Sequence, residues 1–336
     1  MVRVKKGSDP SSSWKTMRRR NNSVDEKGVR PLFSANRRDV LKTAAAGALT
    51  LWAPRLLKAQ QPVNKLAATL SVIDAGGANV TALSTGEGFV VVDSGAPGSG
   101  DAVMAALKGL APNAKVQTLF NTHYHLDQTA NNEQFAAQGA KIVAQMRTKE
   151  WMSADYWVPA EQRYVKARPK AARPTETFRD RASIKAGNEE IDYGYLRMAH
   201  TSGDLYVHFK GANVIAVGDV ASPVRDPELD WYTGGWVGGR VDSMDLLLAL
   251  SNEQTRIVPA YGPVMTKAQF QAERDMMEEV RQRIFDRVRA GEGPQDMLEG
   301  GALDGLPRKW KDPLKFLYAA AKGGWAYQDK LGANVV

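Results

Sequence analysis

From about residue 66 onward, apolar and polar positions alternate in short runs punctuated by turn residues. Ala67–Ile73 and Asn79–Leu83 are rich in β-branched residues, and Asp74, Ala75, Gly76 and Gly77 between them have the chemistry of a turn, so the pattern predicts two strands. Gly88–Asp93 is continuously apolar until its end, as expected of a strand buried on both faces. Val116–Phe120, Lys141–Ala144, Ile191–Met198 and Arg256–Pro259 predict further strands, the last of them the final strand of the chain. Leu205–Phe209 and Asn213–Val217 predict a hairpin around Lys210, Gly211 and Ala212. Helical spacing appears over Asp101–Leu110, with Val103, Ala106 and Leu107 on one face, over Glu133–Gln138, and over Asp242–Leu250, with Leu246, Leu247 and Leu250 facing inward. Thr266 and Gln269 form a capping box. The helix it opens carries Phe270, Met277, Val280, Ile284 and Val288 on one face and stops at Gly291. Pro313–Ala321 predicts a further helix.

Two stretches depart from this rhythm. Residues 145–185 carry Trp151, Tyr156, Trp157 and Tyr164 beside Arg163, Lys166, Arg168 and Lys170, with prolines at 159, 169 and 174. They predict a helical, loop-rich insertion. As a cover over a site it would suit an anionic or aromatic substrate; as a packing insertion it needs no ligand. Residues 221–240 predict a loop whose glycines, at 234, 235, 238 and 239, allow close backbone approach.

Charge changes the picture only at the N-terminus. The 336 residues carry a net charge of +8, but residues 1–59 hold 14 Lys+Arg against 4 Asp+Glu, which leaves 31 basic and 33 acidic residues downstream. The rest of the chain therefore lacks the basic footprint of a nucleic-acid binder. Residues 1–36 are polar and basic, the composition of a disordered segment. Arg37-Arg38, followed by Val40, Leu41 and Lys42 and the weakly apolar stretch Thr43–Trp52, resembles a twin-arginine export signal. Cleavage is expected after Ala59. The apolar stretch is too short for a membrane span. The expected location is thus the periplasm, with the export machinery as a partner and no stable membrane anchor; Met17 is an alternative start. The chain has no cysteine, which excludes disulfides, thiolate metal sites and cysteine nucleophiles.

Two of the four histidines fall in Asn121–Asn132, between the strand 116–120 and the helix 133–138. His123, His125, Asp127 and Gln128 therefore sit on a strand-to-helix loop, and two imidazoles two residues apart there can point at one ion. His123-x-His125-x-Asp127 resembles the metal motif of the metallo-β-lactamase superfamily, His-x-His-x-Asp-His, with Gln128 in place of the last histidine. Asp93-Ser94-Gly95, His200 followed by Thr201 and Gly203-Asp204, and Gly218-Asp219 resemble its later motifs in order. Tyr261 stands where the final histidine is usual.

The resemblance covers about residues 66–265. It implies an α+β fold, the four-layer αββα metallo-β-lactamase sandwich, over residues 60–265, followed by a C-terminal helical extension over 266–336. It implies metal ligation by His123, His125, His200 and Asp219, the fit of a catalytic zinc. At the second metal position Asp127 and Asp219 remain, but Gln128 and Tyr261 replace both imidazoles. A neutral amide and a phenol with a pKa near ~10 are weak ligands, so one zinc ion is expected rather than two. Asp127 would orient or deprotonate a metal-activated water, Tyr261 would hydrogen-bond the developing oxyanion, and Asp93 would brace the metal loop. The implied activity is hydrolysis of a small-molecule ester, lactone, amide or related bond. Two alternatives stand beside it. One is a mononuclear iron sulfur-compound dioxygenase using His123, His200 and Asp219; the other is a catalytically inactive binding or redox-accessory protein. His208, inside the predicted hairpin, has no metal role in this reading.

Overall fold

The structure is a computed structural model that describes residues 62–158 and 162–332, with side chains as far as residue 326. The export signal and cleavage site expected in residues 1–59 lie outside the described residues.

The first sheet is built in sequence order from β1 (Val63–Lys65), β2 (Leu70–Ala75), β3 (Ala78–Ser84), β4 (Phe89–Val92), β5 (Val116–Phe120) and β6 (Lys141–Gln145). A separate hairpin follows, of β7 (Tyr156–Val158) and β8 (Arg163–Val165), before β9 (Glu176–Phe178) returns to pair with β6. The second sheet runs β10 (Arg181–Ala186), β11 (Glu189–Leu196), β12 (Asp204–Phe209), β13 (Val214–Gly218), β14 (Arg256–Pro259) and β15 (Met265–Thr266). Both sheets are mixed: β4, β5, β6 and β9 are mutually parallel, as are β13 and β14, while the other pairings are antiparallel.

The period of two along each strand explains the layering. Leu70 and Val72, Val90 and Val92, and Phe120 point into the space between the sheets, where they meet Leu205, Val207 and Phe209, Val214 and Ala216, and Val258 from the other sheet. The intervening residues point outward under helices. Ile73, Phe89, Val91 and Leu119 pack beneath α1 (Gly100–Leu110) and Phe135. Ile215, Val217 and Ile257 pack beneath the helices of the second half. The result is the expected four-layer αββα sandwich.

The connections differ from expectation in several places. Residues 126–129 form a one-turn helix, α2 (Leu126–Thr129), so Asp127 and Gln128 lie on a helix rather than on a loop. Next come α3 (Asn132–Ala137) and α4 (Met146–Ser153). Residues 145–185 are not only helix and loop: they also contribute the hairpin, the edge strand β9 and most of β10. Those strands are three to six residues long, too short to show the apolar alternation that marks a buried strand. Helix α5 (Val237–Ala249) starts five residues earlier than predicted, because Gly238 and Gly239 are helical. Leu250, expected inside, is 40% exposed just past its end. β14 is not the last strand, since β15 follows it. Helix α6 (Lys267–Arg289) opens on the predicted capping box, and α7 (Pro294–Glu299) and α8 (Pro313–Gly332) complete the chain. Phe270, Met277, Ile284, Phe316 and Leu317 share one apolar cluster with Ile215, Val241 and Ile257, so the C-terminal helices form the outer layer of the second sheet. Among the described residues no helix is long and apolar enough to cross a membrane.

One glycine shows how closely the two sheets converge at the strand ends. Gly218 closes β13 at φ 58°, where its pairing with β14 is irregular, and a Cβ there would stand 2.8 Å from Thr122 Oγ1. Gly218→Ala should therefore destabilise the fold by about 2 kcal/mol or more, combining left-handed strain with the clash. Gly98→Ala, at φ 81° with open space around it, should cost only about 1 kcal/mol. Thermal denaturation of the two variants checks this, and equal losses would contradict it.

Candidate metal centre

The histidines arrive from two strand ends. Where β5 stops, the chain turns through Asn121–His125. The loop between β11 and β12 brings His200 to the same place. Asp219 follows Gly218 at the end of β13, and Tyr261 follows β14. β5, β13 and β14 each have a parallel neighbour, and their carboxyl ends form the crevice where such sheets offer binding sites; β11, which leads to His200, is antiparallel to both of its neighbours. His123 and His200 are almost completely buried and His125 is partly exposed. One nitrogen of each ring lies within 4.8 Å of the others. His200 Nε2 is 3.1 Å from His125 Nδ1. Asp219 Oδ2 is 3.3 Å from His123 Nε2 and 3.9 Å from His200 Nε2.

The partner on the far side of each ring decides which nitrogen faces inward. His200 Nδ1 is 2.9 Å from the Glu228 carbonyl oxygen, which can only accept, so Nδ1 carries the proton. His125 Nε2 is 3.1 Å from Asp230 Oδ2 and donates to it. His123 Nδ1 is 3.1 Å from Thr122 Oγ1, whose own proton goes to Asp93 Oδ2 at 2.8 Å. The inward nitrogens, His123 Nε2, His125 Nδ1 and His200 Nε2, are thereby left as lone-pair donors. His123 Nε2 is buried and has no hydrogen-bond partner among the described residues. Three converging lone pairs beside a carboxylate repel one another unless a cation sits among them, and three imidazoles with a carboxylate make a donor set that suits zinc. The residues present therefore fit a metal ion.

Titration behaviour follows from the same geometry. Burial, with the neighbouring imidazoles, holds His123 well below the usual histidine range, and burial also lowers His200, so both favour the neutral ligand form. Burial acts to lower His125 too, but the hydrogen bond and charge of Asp230 prevail and lift it to about 9. Without a cation, a proton takes its place there. Burial pushes the Asp219 carboxyl up to about 7, against the pull of His125, Arg240 and Arg225.

The bracing groups are themselves braced. Asp93, at φ 63°, accepts from the Thr122 backbone N–H and hydroxyl at 2.8 Å each, and burial raises its carboxyl to about 8. Asp204 accepts from the backbone N–H groups of His200 and Thr201 at 2.7 and 2.8 Å, which closes the turn that carries His200. Gly235 lets the chain pass that turn, since a Cβ there would lie 1.9 Å from the His200 carbonyl oxygen.

Beside the histidines the structure brings Asp127, Gln128 and Tyr261 together. The Tyr261 hydroxyl donates to Asp127 Oδ2, and Gln128 Nε2 is 3.5 Å from the same hydroxyl. Gln128 Oε1 is buried without a partner among the described residues. Arg225 Cζ lies over the Tyr261 ring, 3.2 Å from its centroid. A cavity of about 560 Å³ opens from His125 and Asp127 and is walled by Tyr124 and, from the 145–185 segment, by Trp151, Tyr156 and Arg168. His208 stays in β12, where it pairs with Asp192 of β11 and Ile215 of β13, outside the cluster.

Sequence reasoning missed Tyr124, Asp230 and Arg225. Tyr124 donates its hydroxyl to Asp230, so one carboxylate holds both the ring and His125. Asp230 and Arg225 sit in the 221–240 loop, which matches no motif. Their acidic and basic character gave the only signal, and surface loops commonly share it.

The metallo-beta-lactamase superfamily pattern matches residues 73–260. The alpha subunit of 2,4-dinitroanisole O-demethylase from Nocardioides sp. (strain JS1661) is 24% identical over 211 residues. That alignment takes in 61% of this chain and 58% of the relative, so the chain spans less than two thirds of the relative's length. Among solved structures, a metallo-beta-lactamase from Pontibacter korlensis superposes with a TM-score of 0.54 at 17% identity, over 65% of this chain and 99% of that one. The stereoselective inverting sec-alkylsulfatase Pisa1 from Pseudomonas sp. superposes with a TM-score of 0.58 at 13% identity, over 82% of this chain and 52% of that one. At such identities the superpositions speak for the fold alone. The sequence match covers more than half of the residues, from Asp93 through His123, His200 and Asp219, and by it the chain belongs to the metallo-beta-lactamase superfamily.

Proposed function

We propose that the protein is an exported metal-dependent hydrolase that works with a single zinc ion on an ester, lactone, amide or related bond of a small molecule. One observation carries the reading: three imidazoles with outward-facing protons turn their lone pairs, with Asp219, onto one point. When bound there, zinc supplies Lewis acidity and a water nucleophile near neutral pH. Asp127 then has the position of a general base. Its Oδ2 is committed to Tyr261, which leaves Oδ1 to take a proton. Tyr261 orients that carboxylate, and its hydroxyl is kept protonated, since burial and then Asp219 raise its pKa. In this reading the tyrosine acts first on Asp127 and only through it on an oxyanion. The aromatic and basic wall of the cavity favours an aromatic or anionic substrate. The relative named for 2,4-dinitroanisole, an aromatic compound, agrees with that choice. His125 Nδ1 faces the cluster, which supports a three-histidine zinc set over the two-histidine iron set. The Arg37-Arg38 leader supports delivery to the periplasm by the twin-arginine route.

The functional test is a panel of esters, lactones, amides, β-lactams and sulfate esters, including nitroaromatic ones, assayed with zinc-loaded and chelator-treated protein. Turnover of at least one bond class, lost on chelation and restored by zinc, is expected. A loaded protein inert across the panel would favour the accessory reading. Asp230→Ala should leave the fold intact and weaken zinc binding by about 10–100-fold, since it removes the partner that fixes His125. Unchanged affinity in competition with a chelator would contradict that role.

Zinc affinity should also depend on pH in a set direction. Zinc displaces the proton that His125 holds up to about 9 and, in more acid solution, the one that Asp219 holds up to about 7. Affinity should be level above pH 9. Between 9 and 7 it should fall by about tenfold per pH unit, and below 7 by about a hundredfold. Zinc titrations from pH 6 to 10 check the slope, and a flat profile across pH 7–9 would refute the His125 assignment.

A further inference from the structure

We propose that Arg225 stands in for the second metal ion of the site, as a fixed positive charge that keeps another cation out. The proposal rests on the reading of the histidine cluster as a one-metal site. Its observations lie elsewhere, at the three positions where the family resemblance puts second-site ligands. Arg225 Cζ lies over the Tyr261 ring, 3.2 Å from its centroid. Arg225 Nη1 is 4.0 Å from Asp127 Oδ2, the oxygen that accepts the Tyr261 hydroxyl. Gln128 Nε2 approaches that hydroxyl at 3.5 Å. Guanidinium, phenol, amide and carboxylate thus form one closed group where a divalent ion would otherwise meet two imidazoles and two carboxylates. An aromatic face and a carboxylate are the two surfaces a guanidinium binds best.

The position of Arg225 is built, not incidental. Arg308 donates to the carbonyl oxygens of Arg225 and, at 2.8 Å, Ser222. Lys311 Nζ donates to the Val224 carbonyl at 3.2 Å. Asp226 Oδ2 accepts from the backbone N–H groups of Lys311 and Asp312 at 2.9 and 2.8 Å. On the other side Val224 lies against Gly262, where a Cβ would come within 2.7 Å of its methyl group. The chain on both sides of Arg225 is therefore clamped between the segment leading into α8 and the turn that carries Tyr261. About half of the Arg225 side chain stays exposed, so the guanidinium keeps its charge beside Tyr261 and Asp127.

Restoring the missing ligands tests the proposal. Zinc per chain is measured by elemental analysis after equilibrium dialysis for the unaltered protein, for Gln128→His/Tyr261→His, and for the same double variant with Arg225→Ala. The unaltered protein should hold one zinc, the double variant close to one, and the triple variant two. Second-site affinity should rise at least about tenfold on removal of the like charge. In the otherwise unaltered chain, Arg225→Glu should admit a second zinc at concentrations that leave the parent with one. Retention of the first zinc in each variant shows that the fold survives. A double variant that takes up two zinc ions as tightly as the triple one would overturn the proposal alone, as would a triple variant and an Arg225→Glu protein that both stay at one. An unaltered chain that binds no zinc would overturn the one-metal reading and the proposal with it.

Discussion

The three hydrogen bonds on the outer sides of the imidazoles are the constraint on which the site depends. A histidine offers one lone pair, and its position is set by where the proton is held. Here the Glu228 carbonyl, the Asp230 carboxylate and the Thr122 hydroxyl hold the protons outward. The inward nitrogens and Asp219 then form a cluster that needs a cation or a proton: one nitrogen is buried without a partner among the described residues, two lie 3.1 Å apart and must share a proton when no cation is there, and the carboxyl is raised by burial. Each outer partner is anchored in turn, Thr122 by Asp93 and Asp230 by its shared bond to Tyr124.

The sandwich supplies the convergence. β4 and β5 end on one sheet, β13 and β14 on the other, and the apolar layer between the sheets fixes the distance between those ends. Gly218 lets Thr122 and the end of β13 touch, and Gly235 lets the 221–240 loop pass under His200. The C-terminal segment takes part in the same architecture. Glu273 of α6 lies 3.7 Å from the buried Arg240 and from Arg308, and it accepts from the Ser222 backbone N–H. The outer helical layer thus holds the loop that carries Glu228, Asp230 and Arg225.

The strands and the converging histidines were legible because both carry local signals. A strand buried on both faces is a continuous apolar run, and His-x-His-x-Asp is contiguous. Even the departures at Gln128 and Tyr261 could be read as a pair across 133 positions, and the structure places them 3.5 Å apart. What was not legible is set by tertiary contact. β9 and β10 are short and charged, and only pairing with β6 and β11 makes them strands. Helix α5 begins at glycines that the sequence marks as a loop, because burial against the second sheet outweighs their low helix propensity. Asp230 and Arg225 acquire meaning only once their loop is folded over the strand ends.

The central claim is one cation at the histidine cluster, with its neighbouring position closed by side chains. Anomalous diffraction at the zinc edge, from crystals grown in excess zinc, tests it most directly. A single peak among His123 Nε2, His125 Nδ1, His200 Nε2 and Asp219, with none beside Asp127, is the expected result. A second peak between Asp127 and Tyr261, or no peak among the histidines, would contradict it.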